Sequence, residues 1–315
     1  MQVSDIKKIA CIGAGTIGAS WASYFLWKGY PVAVQDVTEE ALERAKKLID
    51  SNLNFLLGKG LLTEAVLDKA NKSVNYHTNI GEAVKDVQFI QESAFENYDV
   101  KKALFKDIDE FAPQAIFASS SSGLLISEIQ KSSRFPERCI IAHPFNPPHL
   151  IPLVELVRGK ATSEETLTVA YDFYKAIGKM PVRVNKEVPG HIANRIAMAY
   201  WRECIDLVMN GVCTVEDVDL ASCYGPGPRY ALMGPHLIYH LGGGPGGVKD
   251  FINHLGPSVE MWWEDMATWK KFPEGCREVL EKGVLDELAG KTPEELAAWR
   301  DEKLVKLLGD LDRLK

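Results

Sequence analysis

The chain has 315 residues, 46% of them hydrophobic and 25% charged, with a formal net charge of −7. That length favours two domains, and the negative balance argues against nucleic acid or an anionic membrane as a main partner. No apolar run reaches membrane-spanning length, and six scattered cysteines (Cys11, Cys139, Cys204, Cys213, Cys223, Cys276) without a CxxC pair fit reduced thiols in a cytoplasmic protein better than disulfides or a zinc site.

The first residues, Met1 to Lys8, read as neither a signal peptide nor a transit segment. Lys8 to Ile12 is a short apolar run ending at glycine, the mark of a buried strand. A glycine turn then feeds an apolar segment, Ala19 to Trp27, which Gly29-Tyr-Pro31 breaks. Val32 to Asp36 is a second strand ending in an acid. Thr38-Glu-Glu opens a long helix, with an N-cap and first-turn acids, that ends at Gly58-Lys-Gly60. A helical insertion follows, capped at Thr63. Val87 to Ile90, Ala115 to Ser119, Cys139 to Ala142 and Pro181 to Val184 are further strands. Helices lie over about Asp99 to Phe111 and Ser163 to Ile177. Strand and helix alternate, which predicts an α/β fold with a doubly wound parallel sheet of the Rossmann type. The character changes near Val188-Pro-Gly190. From there the pattern is helical: His191 to Asn210, Val215 to Tyr224, Gly247 to Leu255 and Pro293 to Leu308, with Gly/Pro-rich loops at 225–228 and 242–247. The expected domains are therefore 1–187, binding a dinucleotide, and an all-helical 188–315.

Gly13-Ala-Gly-Thr-Ile-Gly18 matches GxGxxG with a strand before it and a helix after it. Gly13 permits the tight turn, Gly15 lets backbone approach a pyrophosphate, and Gly18 allows close helix–strand packing. Thr16 and Ile17 open the helix, whose free N–H groups suit phosphate. Asp36 lies 21 residues after Gly15, placed to accept from ribose hydroxyls and to repel a 2′-phosphate. That favours NAD over NADP. FAD uses the same turn, so the glycines alone do not name the cofactor.

His143 and Glu155 stand twelve positions apart, in Cys139-Ile-Ile-Ala-His-Pro-Phe-Asn-Pro-Pro148 and Leu153-Val-Glu-Leu-Val157. Taking a proton from an alcohol needs a base near neutrality, which histidine supplies. A carboxylate beside it fixes the tautomer and stabilises the imidazolium. Spacing alone leaves a buried structural histidine equally open. His236 and His240 have i, i+4 spacing, but no third ligand is evident, so no metal site is expected.

The chain resembles the 3-hydroxyacyl-CoA dehydrogenase superfamily over nearly its whole length. The resemblance rests on the glycine turn, Glu96-Asn97 with Lys101, Phe117-Ala-Ser-Ser-Ser-Ser122, His143-Pro-Phe-Asn-Pro147, Leu153-Val-Glu155 and Pro189-Gly-His-Ile-Ala-Asn-Arg195. It implies that His143 is the base and Glu155 its partner. It also implies that Ser122 and Asn194 hold the substrate oxygen, and that Glu96 and Lys101 line the nicotinamide half of the NAD site. It further implies a homodimer.

The chain also departs from the acyl-CoA members. Asn-Thr-Ser-Ser is replaced by Ser120-Ser-Ser-Gly123, and an Arg-Tyr pair appears in Gly227-Pro-Arg-Tyr-Ala-Leu-Met-Gly-Pro235. This form is similar to the branch containing L-gulonate 3-dehydrogenase (lambda-crystallin) and L-carnitine dehydrogenase, which act on small free hydroxy acids. Arg229 can hold a free carboxylate by a bidentate bond. Tyr230 and Trp262 are among the aromatic residues available to a trimethylammonium group. The expected reaction is NAD-dependent oxidation of a small free 3-hydroxy acid, with L-carnitine or L-gulonate as the model substrate. The alternatives are a short-chain 3-hydroxyacyl-CoA dehydrogenase and a non-catalytic NAD-binding structural protein.

Overall fold

The computed structural model describes residues 1–314. Its chain divides into two compact units, Met1–Arg195 together with the chain from Leu304 onward, and Ile196–Lys303. The sequence placed the division at 187/188; the turn at 188–191 and the first residues of the next helix belong instead with the first unit.

The first unit is built on eight strands: β1 (Ile9–Ile12), β2 (Val32–Gln35), β3 (Val74–His77), β4 (Phe89–Glu92), β5 (Ile116–Ser119), β6 (Cys139–Pro144), β7 (Leu153–Arg158) and β8 (Met180–Val184). They form one sheet in the order β3-β2-β1-β4-β5-β6-β7-β8. The first six strands are parallel and follow the order of dinucleotide-binding folds. β7 runs antiparallel to β6, and β8 runs parallel to β7. The sequence reading missed β3 and β7.

Seven helices cover the sheet: α1 (Thr16–Trp27), α2 (Glu39–Gly58), α3 (Glu64–Lys72), α4 (Ile80–Val84), α5 (Tyr98–Phe111), α6 (Ile126–Ile129) and α7 (Glu164–Ala176). A strand alternates its side chains between faces, and here both faces are buried. Ile9 and Cys11 enter a core with Trp21, Phe25 and Phe173, from α1 and α7. Ala10 and Ile12 enter a second core with Phe105 and Ile108 of α5 and Ile129 of α6. Burial on both sides explains why these strands read as continuous apolar runs. Thr38 caps α2 by accepting from the Ala41 amide at 3.1 Å.

The second unit is helical: most of α8 (Ala193–Met209), then α9 (Val215–Tyr224), α10 (Pro226–Leu232), α11 (Pro235–Gly242), α12 (Gly247–Asp265), α13 (Cys276–Leu288) and the start of α14 (Pro293–Asp310). The stretch 225–228 read as loop because of its glycine and proline. Pro226 instead occupies the first turn of α10, where its missing N–H costs nothing. α12 continues through Pro257 to Asp265, ten residues past the expected Leu255. The chain from Leu304 returns to the first unit, where Val305 packs on the core.

Candidate active site

The glycine turn joins β1 to α1 with no room to spare. Gly13 has φ +84°, and a Cβ there would meet the Ala94 amide nitrogen at 2.6 Å. A Cβ on Gly18 would stand 1.8 Å from the Gly13 carbonyl oxygen. Gly15 is different: its Cβ would point into open space. It is also the N-cap of α1 and brings no side-chain cap, so the helix N-terminus stays free for an anion. Exposed Thr16 and half-buried Ile17 follow it. Two glycines closed by packing and one open at a free helix start fit a bound pyrophosphate.

Asp36 follows β2 directly. Its Oδ2 accepts from the Ala14 amide at 2.8 Å and its Oδ1 from the Val37 amide at 2.7 Å. The carboxylate therefore stitches the end of β2 to the glycine turn. Each oxygen keeps a lone pair for a ribose hydroxyl.

Beyond β4 the chain builds a charged cluster. Glu92 is fully buried and accepts from Lys101 Nζ at 2.7 Å, the Ala94 amide at 2.7 Å and Ser119 Oγ at 2.5 Å. Lys101 is buried beneath this loop and also donates to the Ala94 carbonyl at 3.2 Å. It reaches Glu96 at 3.5 Å. Glu96 accepts from Ser121 Oγ at 2.6 Å and from the amides of Ser122 and Gly123 at 2.9 and 3.1 Å. Burial pushes the Glu96 pKa up, but the Ser121 bond, Lys101 and the two amides outweigh it and hold the carboxyl below the ordinary range. Glu96 thereby fixes the loop after β5, where Ser122 is exposed. The sequence reading overlooked Glu92 and Ser121. An apolar strand ending in an acid, with a lysine nine residues on, was the available signal for Glu92.

The twelve-residue spacing of His143 and Glu155 resolves into a hairpin. β6 and β7 pair antiparallel with His143 directly opposite Glu155. The two side chains share a face and meet, His143 Nδ1 to Glu155 Oε2, at 2.8 Å. Both are buried, Glu155 completely. The other oxygen, Oε1, accepts from the amides of Ile192 and Ala193 at 2.8 and 2.9 Å. These amides lead into α8, so the carboxylate also caps a helix N-terminus. Burial pushes the Glu155 pKa up; the bond from His143 and those from the Ala193 and Ile192 amides outweigh it, so the net shift is downward. An ionised carboxylate only accepts, so Nδ1 carries the imidazole proton and Nε2 keeps the basic lone pair.

The loop between the strands, 145–152, is tied down at several points. Lys179, buried, donates to the carbonyls of Pro148 and Ile151. Ser20 of α1 accepts from the His149 amide at 2.9 Å. Asn194 is half-buried, next to the Ala193 amide that binds Glu155. His191 was quoted within a motif without being assigned a part. It is buried, and its ring centroid stands 5.3 Å from that of His143.

Arg229 and Tyr230 lie on α10 and Trp262 on α12, all three exposed in the second unit. His240 caps the start of α12, its Nδ1 accepting from the Val248 amide at 3.3 Å. Among the described residues no cluster of three or more His, Cys, Asp or Glu is arranged for a metal.

Comparison with known proteins finds a family and close relatives of the chain. Residues 8–188 match the family described as 3-hydroxyacyl-CoA dehydrogenase, NAD binding domain, and residues 190–278 match its C-terminal domain. The chain is 39% identical to an L-carnitine dehydrogenase of Nocardiopsis dassonvillei over 311 residues, covering 98% of this chain and 93% of that one. It is 38% identical to an L-carnitine dehydrogenase of Bacillus cereus, covering 99% and 95%. Among solved structures it is similar to 5-formyl-3-hydroxy-2-methylpyridine 4-carboxylic acid 5-dehydrogenase, described as an NAD+-dependent dismutase, at 29% identity, TM-score 0.82 and 98% coverage of both chains.

Proposed function

The chain belongs to the 3-hydroxyacyl-CoA dehydrogenase family, and on that premise we propose that it oxidises a small free 3-hydroxy acid to the 3-keto acid, with His143 as general base. The NAD-binding domain and the similarity to L-carnitine dehydrogenases make it an NAD-dependent oxidoreductase acting on a 3-hydroxy acid. The observation that carries the assignment of the base is the cross-strand pair: a buried imidazole whose proton is fixed on Nδ1 by an ionised carboxylate.

In this reading His143 Nε2 takes the proton of the 3-hydroxyl. Glu155 stabilises the imidazolium that forms and holds the ring in its orientation. Ser122 and Asn194 hydrogen-bond the substrate oxygen. Gly13, Gly15, Thr16, Ile17, Gly18 and Asp36 hold the adenosine diphosphate part of NAD, with Glu96, ordered by Lys101, on the nicotinamide side. NAD, when bound, supplies the oxidant for C3. Arg229 holds the substrate carboxylate, while Tyr230 and Trp262 serve its tail.

L-Carnitine is the leading substrate because the relatives that match end to end carry that name. NADH formation by the purified protein should be measured with L-carnitine, L-gulonate and 3-hydroxybutyryl-CoA. Turnover of L-carnitine, lost in Arg229→Ala mainly through KM, is the expected result. Turnover of gulonate alone would turn Tyr230 and Trp262 into packing residues. Turnover of the CoA ester alone would overturn the free-acid reading.

The second unit supports a homodimer. Among the described residues its buried hydrophobics are Ile205, Val215, Ile238, Ala267 and Cys276, while Leu237, Leu241, Ile252, Met261 and Trp263 are each 60–65% exposed. An apolar surface on that scale marks an interface, and a second copy is the occupant the family implies. Light scattering should give twice the 35.0 kDa of one chain; a monomer at micromolar concentration would refute this. The six unpaired cysteines suit a reducing compartment and support a cytoplasmic enzyme.

A further inference from the structure

His191 is buried to 2% exposure at a turn where both it and Gly190 have positive φ, +50° and +77°. A non-glycine residue in that region is strained and is held there by its surroundings. The same turn delivers the Ile192 and Ala193 amides to Glu155. The imidazole of His191 turns to the other side of the site, and its Nε2 lies 3.0 Å from the Ser121 carbonyl oxygen. A carbonyl only accepts, so Nε2 carries a proton, and in the neutral ring that burial favours Nδ1 is a bare lone pair. That Nδ1 is buried with no hydrogen-bond partner in the protein. The ring packs on His143 at 5.3 Å between centroids, tilted by 58°.

We infer that His191 is a positioning residue for the base: a neutral imidazole, locked by the Ser121 carbonyl, that fixes the His143 ring and ties the loop carrying Ser122 to the turn that clamps Glu155. The inference rests on the assignment of His143 as base. Three segments meet at this one ring. The loop after β5 is gripped through Ser121, the base on β6 is packed, and the backbone of the turn holds Glu155 on β7.

The charged and titratable groups facing His191 are His143 from β6, Glu155 from β7 and Glu96 from the loop after β4. Burial is the largest influence and favours the neutral ring. The Ser121 bond and the two carboxylates oppose it, His143 adds to it, and the net shift is downward from the ordinary histidine value. Neutrality keeps a second cation away from the imidazolium that His143 becomes.

His191→Phe keeps a ring against His143 but loses the bond to Ser121; His191→Asn loses the ring but keeps an N–H donor. Both should be compared with wild type and His143→Gln for kcat and KM with NAD and L-carnitine, and for the pH titration of the His143 ring by 15N NMR. For His191→Phe we expect kcat to fall about 10- to 100-fold, KM for NAD to hold, and the His143 midpoint to move. His191→Asn should recover part of the kcat. An unchanged His143 titration and unchanged kcat in His191→Phe would overturn the inference and leave His191 as packing. Turnover surviving in His143→Gln would remove the base assignment instead, and the ring titration would still decide whether His191 controls His143.

Discussion

Glu155→Gln should lower kcat by about 10³–10⁴-fold, while the protein still folds and still binds NADH. The replacement has the same shape. Its carbonyl oxygen can accept from the Ile192 and Ala193 amides, as Oε1 does now at 2.8 and 2.9 Å. Its amide nitrogen then faces His143 Nδ1, where the carboxylate accepts at 2.8 Å. A donor in that place forces the ring proton onto Nε2, the nitrogen proposed to receive the substrate proton. The loss is therefore one of tautomer and not of fold. Steady-state kcat, NADH fluorescence titration and thermal melting separate the two. A kcat close to wild type would mean that the carboxylate serves the helix start only. Glu155→Ala behaves differently, because two part-buried amides lose their acceptor, at a cost of about 1 kcal/mol each, the low end for an unpaired group. It should show a lowered melting temperature as well as lost activity.

The second large effect belongs to His143→Gln. Removing a general base costs about 10²–10⁴-fold, and glutamine cannot take a proton near neutrality. On the proposed assignment the buried ring serves proton transfer, while the glycine turn and Asp36 hold the cofactor. NADH affinity should therefore hold while kcat collapses. Loss of NADH binding in step with activity would indicate a collapsed site and argue against a specific role for His143.

The central strands were legible because both of their faces are buried. β1, β2, β4 and β5 are largely apolar runs ended by glycine, acid or serine, and β6 is one ended by His143-Pro144. β3 escaped notice because it pairs at the sheet margin with only partial burial, and its Asn75 and His77 break the apolar run. β7 escaped because Glu155 and Arg158 interrupt it, although Glu155 is a core residue by burial. A charge inside a strand argues for a loop until its partner is known, and here the partner lies on the neighbouring strand. The glycines, Asp36, His143 and Glu155 were visible as types at spacings. His191 was not, since its partner Ser121 lies 70 residues back along the chain, and Glu92 was passed over although Lys101, nine residues on, was its signal. In the second unit, proline at the first turn of α10 disguised a helix start as a loop.

The antiparallel pairing of β6 and β7 changes what the twelve-residue interval means. His143 and Glu155 are neighbours because they occupy the same rung of a two-stranded ladder. A slip of one rung would send one of them to the opposite face, whereas residues inserted into the intervening connection would leave the rung intact. The interval records the length of that connection and carries no chemical information. Searches for the same histidine–carboxylate pair in other chains should therefore ask for opposition across a hairpin and let the count of residues between the two vary.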